Sequence, residues 1–228
     1  MKQSSTNSGL DPAASVLVVL TIASDEAIQL FAGSPIFVVA LDSVYGFARQ
    51  LVGAQVVIAL PPLLEKPVQE ILRANQLEYD LLICDPTSPK DLAANLLSRY
   101  EVEIFVVHEA VRPLVSVAQF DRALQGLRPD VDAVRPGTLF TETLKAVDSS
   151  AIIQRTIDRT QVYRISTPEV IARRAIDLES ERTDWLLALK VDARTEYVES
   201  DPETLRVNSA DERILLESFL HWQQRIVR

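Results

Sequence analysis

The chain has 228 residues, 47% hydrophobic and 24% charged, a balance that fits a soluble globular protein with room for a large core. Its net charge of −9 and pI near 4.8 exclude non-specific attraction to nucleic acid or to an anionic membrane surface. Any phosphate site must therefore be a local cluster of cations. One cysteine, Cys84, allows no intrachain disulfide and reads as a buried apolar filler.

Residues 1–13, "MKQSSTNSGLDPA", lack the apolar core of a signal peptide and read as a disordered tail. A cytoplasmic placement is expected, with neither nucleic acid nor membrane as partner. Short apolar runs at Val16–Thr21, Ala54–Leu60, Tyr79–Cys84 and Ile104–Val107 predict strands covered on both faces. Helical patterns alternate with them. Ser34-Pro35 opens a helix with proline at its first position, and Leu63–Asn75 and Pro89–Tyr100 supply the next two. The alternation predicts an α/β fold with a mainly parallel sheet and helices on both faces.

A helix is predicted around Ser116–Leu127, and "VDAVRP" reads as a fifth strand. "TLFTETLKAVD" and "TQVYRIS" alternate as exposed strands and predict a projecting β-arm over about 134–165. Helices are expected at Pro168–Leu178 and Asp184–Leu189, then a strand at Thr195–Val198. A terminal helix opens on "SADE", with Ser209 and Glu212 as a capping box. Residues 14–228 read as one domain carrying the arm.

Open parallel sheets bind ligands beyond the carboxyl ends of their strands, and "HEAVRP", His108–Pro113, lies at such an end. Polar groups then follow as "ETLK", "TIDR", "STPE", "TDW" and "TLRVN". In that order and spacing the sequence resembles the methylerythritol phosphate cytidylyltransferases. These enzymes join CTP to a sugar-alcohol phosphate in isoprenoid biosynthesis and release pyrophosphate. The family's His-Asp-Ala-Ala-Arg-Pro is here "HEAVRP", its Gln-Thr-Pro-Gln is "STPE", and its Thr-Asp-Asp is "TDW". The resemblance implies a Rossmann-like nucleotidyltransferase fold and a homodimer hooked together by the arm.

It also implies roles. Thr143 and Arg159 would reach the sugar phosphate of the partner's site, and Arg112, Thr167 and Thr183 would line the pocket. Arg206 would stabilise charge at the reacting phosphate, and Glu109 would take the place of the aspartate that holds magnesium. Each has a plainer reading as well. Glu109 can simply pair with Arg112, Asp158–Arg159 can be a structural ion pair, and His108 can hydrogen-bond a backbone carbonyl. Trp185, where the family has aspartate, reads as repacking that leaves the pocket rim smaller and drier.

The family's glycine-rich loop after the first strand is missing. Glycines there let backbone N–H groups approach a triphosphate, and an arginine and a lysine neutralise it. Here the turn is "TIASDEAIQLFAG", with no Lys or Arg between Gln3 and Ala48. The family's second nucleotide element, Gly-Gly-x-x-Arg-Gln-x-Ser-Val, is replaced by "CDPTSPKDLAA". The expected protein is a catalytically silent paralogue that needs no cofactor and has a binding or regulatory role. It would pair with itself or with an active paralogue and take a small phosphorylated ligand. The alternative is an active cytidylyltransferase using magnesium, Glu109 and Arg206.

Overall fold

A computed structural model describes residues 14–226, so the expectation of a disordered tail at 1–13 lies outside the described residues. The strand β1 (Val16–Thr21) lies at the centre of an eight-stranded sheet. It pairs in parallel with β4 (Gln55–Leu60) on one side and β6 (Ile104–Glu109) on the other. A parallel pair of β4 with β5 (Leu81–Ile83) ends that half. β2 (Leu30–Phe31) and β3 (Ser34–Pro35) form a separate small hairpin.

The all-apolar run of β1 explains its position. Val16, Val18 and Leu20 face one core, and Leu17 and Val19 face another. The first core is closed by α1 (Ile36–Ala48), α2 (Pro62–Ala74) and α4 (Val117–Gly126), which present Phe37, Phe47, Leu64, Val68 and Phe120. The second is closed by α3 (Pro89–Arg99) through Leu92, Ala93 and Leu96. Alternate side chains of a strand point to opposite faces, so a strand apolar throughout must be covered on both. The α/β sheet with helices on both faces is as the sequence predicts.

The other half of the sheet is mixed. β11 (Glu169–Ala172) is inserted antiparallel between β6 and β7 (Ala133–Leu139). β10 (Tyr163–Ile165) runs antiparallel to the far end of β7, and β12 (Thr195–Glu199) pairs with β7 in parallel. β8 (Lys145–Val147) and β9 (Ile153–Thr156) make a hairpin outside the main sheet. The projecting unit is thus shorter than the expected 134–165 arm, because β7 and β10 belong to the main sheet. The helix α5 (Ala210–Ile226) ends the described chain. Ser209 Oγ accepts the Glu212 amide at 3.3 Å, while Glu212 reaches back to the Asn208 amide at 2.7 Å, one residue short of the expected box.

Three local expectations are corrected. Residues 168–178 are not a helix: Val170 and Ile171 are β-branched and buried between two strands, and pairing there outweighs the helical start signal of the proline. Residues 184–189 form no helix either. Trp185, Leu187, Ala188 and Leu189 are buried, three of them in the second core, and Ala188 accepts the Asp177 amide at 3.0 Å. Pro35 sits at the N-cap of α1 instead of its first turn, since Ser34–Pro35 is tied to Leu30–Phe31.

Among the described residues no helix is long and apolar enough to cross a membrane. Cys84 is buried, and burial together with Asp91 and Asp85 pushes its thiol up to about 12, which suits a filler and not a nucleophile.

Candidate functional site

The carboxyl ends of β1 and β6 open into a cleft of about 480 Å³. Glu109 ends β6, and Arg112 follows in the tight turn closed by the Arg112 amide on the Glu109 carbonyl at 3.1 Å. A larger cavity of about 720 Å³ lies at the other end of the sheet, beside Glu103 and Ile104. Ligand sites of open parallel sheets form at the carboxyl ends, so position favours the cleft over the larger volume.

At the cleft, Glu109 is held twice. Arg112 Nε donates to its Oε2 at 2.7 Å, and Arg206 Nη1 donates to its Oε1. Arg112 also donates to the Thr204 carbonyl at 2.9 Å, which fastens the segment after β12 to the end of β6. Both carboxylate oxygens therefore carry a guanidinium, so the plainer reading of Glu109 holds and a second cation joins it. Among the described residues no group of three or more His, Cys, Asp or Glu is arranged to hold a metal.

His108 and Thr167 lie behind this triad. His108 Nδ1 pairs with the Thr167 hydroxyl at 2.7 Å. Burial, and then the Arg112 charge, push its imidazole down to about 3, so the ring is neutral at ordinary pH. The same hydroxyl accepts the Glu109 amide at 3.4 Å, so protein groups already engage it.

Gln119, on α4, was not singled out by the sequence. Fully buried, it donates to the Thr167 carbonyl at 2.7 Å and accepts the Asp201 amide at 2.6 Å. It ties the Ser166–Thr167 wall to the C-terminal segment. Gln119→Leu strands both partners, and an unpaired buried polar group costs about 1–3 kcal/mol. Urea denaturation is expected to show a loss of about 2–4 kcal/mol for this variant.

A second buried knot lies deeper in the cleft wall. Glu169 and Arg135 are 3% and 4% exposed and pair at 3.1 Å. Glu169 Oε2 accepts the Leu186 amide at 2.6 Å, Arg135 donates to the Asp184 carbonyl at 2.6 Å, and the Trp185 ring lies 4.1 Å from the guanidinium carbon. Burial pushes the Glu169 carboxyl up to about 7 despite Arg135, with Glu109 adding to the rise. Trp185 is 3% exposed and belongs to the second core, as repacking implies. Sequence reasoning missed Arg135 because it stands in the middle of the apolar strand β7. An arginine at an inward position of a central strand was the signal for a buried partner.

Of the sequence-predicted site residues, Glu109, Arg112, Thr167, Thr183 and Arg206 line this one cleft. Thr143 and Arg159 do not line it. Arg159 donates to the Thr141 carbonyl, and Asp158 accepts the Thr160 amide at 3.0 Å instead of pairing with Arg159.

The turn after β1 is closed on itself. Asp25–Ile28 is one turn of 3-10 helix, and Phe31 is fully buried with Val207 and Leu216. Several of its amides bond within the protein: Ile22 N–H to Ala59 O at 2.8 Å, Ala27 N–H to Ser24 O at 3.3 Å, and Gln29 N–H to Glu26 O at 3.1 Å. Ala32 N–H bonds to the Glu217 carboxylate at 2.9 Å, and Arg213 donates to the Leu30 carbonyl at 3.0 Å. The turn is a seat for α5. The loop from β5 to α3 is closed as well. Asp91 accepts the Asp85 amide at 2.6 Å, Asp85 accepts the Thr87 amide at 2.9 Å, and Lys90 pairs with Glu181 at 3.3 Å on the surface.

A family model described as IspD, 2-C-methyl-D-erythritol 4-phosphate cytidylyltransferase, matches residues 28–184. The sequence is similar to a 2-C-methyl-D-erythritol 4-phosphate cytidylyltransferase of Streptomyces avermitilis, 25% identical over 226 residues that cover 92% of this chain and 89% of that one. It is also similar to a bifunctional enzyme IspD/IspF of Rhizobium leguminosarum bv. trifolii, 26% identical over 150 residues. That match covers 63% of this chain but only 36% of the relative. Among solved structures, the 4-diphosphocytidyl-2C-methyl-D-erythritol synthase of Anaerococcus prevotii has the same fold. Its TM-score is 0.73 at 18% identity, covering 92% of this chain and 100% of that one. The 2-C-methyl-D-erythritol 4-phosphate cytidylyltransferase of Thermus thermophilus gives a TM-score of 0.67 at 20% identity, over 89% and 98% of the two chains.

Proposed function

The chain belongs to the 2-C-methyl-D-erythritol 4-phosphate cytidylyltransferase family, and from that premise we propose that it is a catalytically silent member with a binding or regulatory role. The observation that carries this reading is the turn after β1. Its amides at Ala27, Gln29 and Ala32 bond within the protein, its charged residues are Asp25 and Glu26, and its hairpin docks α5. A triphosphate needs free amides and cations at that place, and carboxylates repel it.

The cleft supports the same reading. Arg112 and Arg206 share Glu109, and Arg135 is buried against Glu169. Magnesium fits poorly, because a carboxylate held by two guanidiniums offers a hard cation little free charge. No step through the metal is proposed. A small phosphorylated ligand would have to compete with Glu109 for Arg112 and Arg206.

The partner in this reading is a second copy or an active paralogue, joined through the projecting hairpin. Val147, Ile152 and Ile153 are 55%, 61% and 62% exposed there, and a two-stranded ribbon of that kind is marginal without something to pack on. From it, Thr143 and Arg159 would reach the partner's cleft. The alternative is an active cytidylyltransferase in which Arg206 is catalytic. Its guanidinium, 41% exposed at the cleft, is what favours that reading.

Calorimetric titration separates the two. CTP with magnesium is expected to give no saturable heat up to millimolar nucleotide. Saturable one-to-one binding in the micromolar range would overturn the silent reading.

A further inference from the structure

Behind the Arg112–Glu109–Arg206 triad lies a second cavity, of about 400 Å³. Arg112, Arg164 and Arg206 line it together with Leu205, Leu215 and Leu216. It shares only Arg112, Ile165 and Arg206 with the cleft. Its charge is unbalanced. Three guanidiniums stand against two carboxylates, Glu109 of the triad and Glu212 of the cavity wall, leaving one positive charge in excess.

Donors are in excess as well. The Arg164 side chain makes no hydrogen bond or ion pair among the described residues. Arg112 uses Nε on Glu109 and Nη1 on Thr204, and Arg206 uses Nη1 on Glu109, which leaves further N–H groups on both. Glu212 is committed to the Asn208 amide at 2.7 Å. In a chain of net charge −9, such a local surplus of cations is where an anion goes. The opposite wall is apolar. Leu216 is 2% exposed and anchored, and Leu215 is 61% exposed. An inorganic ion cannot use that wall, and a purely apolar ligand would strip water from the guanidiniums and give nothing back.

We infer that this cavity is a binding site for a small amphipathic anion, a phosphate or carboxylate head on a short apolar body, separate from the cleft described above. The head lies against Arg164 and the unused N–H groups of Arg112 and Arg206, and the body lies on Leu205 and Leu215. Because two of these arginines also hold Glu109, occupancy of the cavity bears on the cleft whether or not the cleft turns over substrate.

The test is calorimetric titration of the full chain at low salt with phenyl phosphate, hexanoate and inorganic phosphate. Saturable one-to-one binding of phenyl phosphate, of hexanoate or of both is expected, and which of them binds identifies the head group. Inorganic phosphate should bind about tenfold more weakly or worse. Arg164→Ala, at an exposed position, should weaken the organic ligand about tenfold, Leu215→Gln should weaken it severalfold, and Thr183→Val, in the cleft alone, should leave it unchanged. No saturable heat with either organic anion overturns the proposal. So does equal affinity for inorganic phosphate, indifference to Arg164→Ala or Leu215→Gln, or loss of binding in Thr183→Val.

Discussion

Supplied with magnesium, CTP and methylerythritol phosphate, the purified protein is expected to release pyrophosphate at least about 10⁴-fold more slowly than an active cytidylyltransferase assayed alongside it. Nucleotidyl transfer builds negative charge on the leaving pyrophosphate, and the protein's part is to hold donors and cations where that charge appears. Loss of one preorganised donor costs roughly 3–4 kcal/mol of barrier. Two independent losses slow the reaction by about 10⁴–10⁶-fold. Here the turn that would supply them holds Asp25 and Glu26, and its amides at Ala27, Gln29 and Ala32 are already bonded. Pyrophosphate release within tenfold of the active enzyme, measured by a coupled phosphate assay, would rule this out.

Replacing Arg135 by methionine is expected to lower stability by about 3–5 kcal/mol near pH 8, and by clearly less near pH 5. Arg135 is the cation paired with the buried carboxyl of Glu169, and it also contacts the Asp184 carbonyl, the Asp184 carboxylate at 3.6 Å and the Trp185 ring. Glu109, across the cleft wall, repels the same carboxylate. The folded carboxyl titrates near 7, above the ordinary 4.5, so the folded state binds the proton more tightly than the unfolded one. The stabilisation is then complete below about 4.5 and is lost as pH rises to about 7, by something of order 3 kcal/mol. Without Arg135 the carboxyl rises further and the loss continues to higher pH. Glu169→Gln should remove this slope, and in the double variant most of the stability at pH 8 should return. Denaturant unfolding across pH 5–8 reads all of it. An equal loss at both pH values in Arg135→Met would mean that the contacts of Arg135 with Trp185 and Asp184, and not its charge on Glu169, are what matters.

Much of the first half was legible in the sequence because its signals are local and redundant. Val16–Thr21 is apolar throughout, and the helices on each side carry their own periodicity and caps, such as Ser88 and Ser116 accepting the amides of Asp91 and Gln119. The second half was less legible. Glu169–Ala172 is four residues long, and a short apolar run does not distinguish a strand from a buried helical turn. Its strand state comes from β6 and β7, which are distant in sequence. The site divides in the same way. Glu109, Arg112, Thr167, Thr183 and Arg206 were visible because they stand in recognisable motifs. Gln119 and Arg135 stand in ordinary helix and strand text, and their roles exist only after Asp201 and Glu169 are brought to them.

Gly137, at the end of the buried part of β7, lies under a stacked pair of rings, Tyr163 and Tyr197, whose centroids are 5.0 Å apart. A methyl group placed there would meet Tyr197 at 3.1 Å and Tyr163 at 3.3 Å. Any larger residue at 137 is therefore coupled to those two rings, which are 43% and 48% exposed and have to swing outward by a few tenths of an ångström to admit even a methyl group.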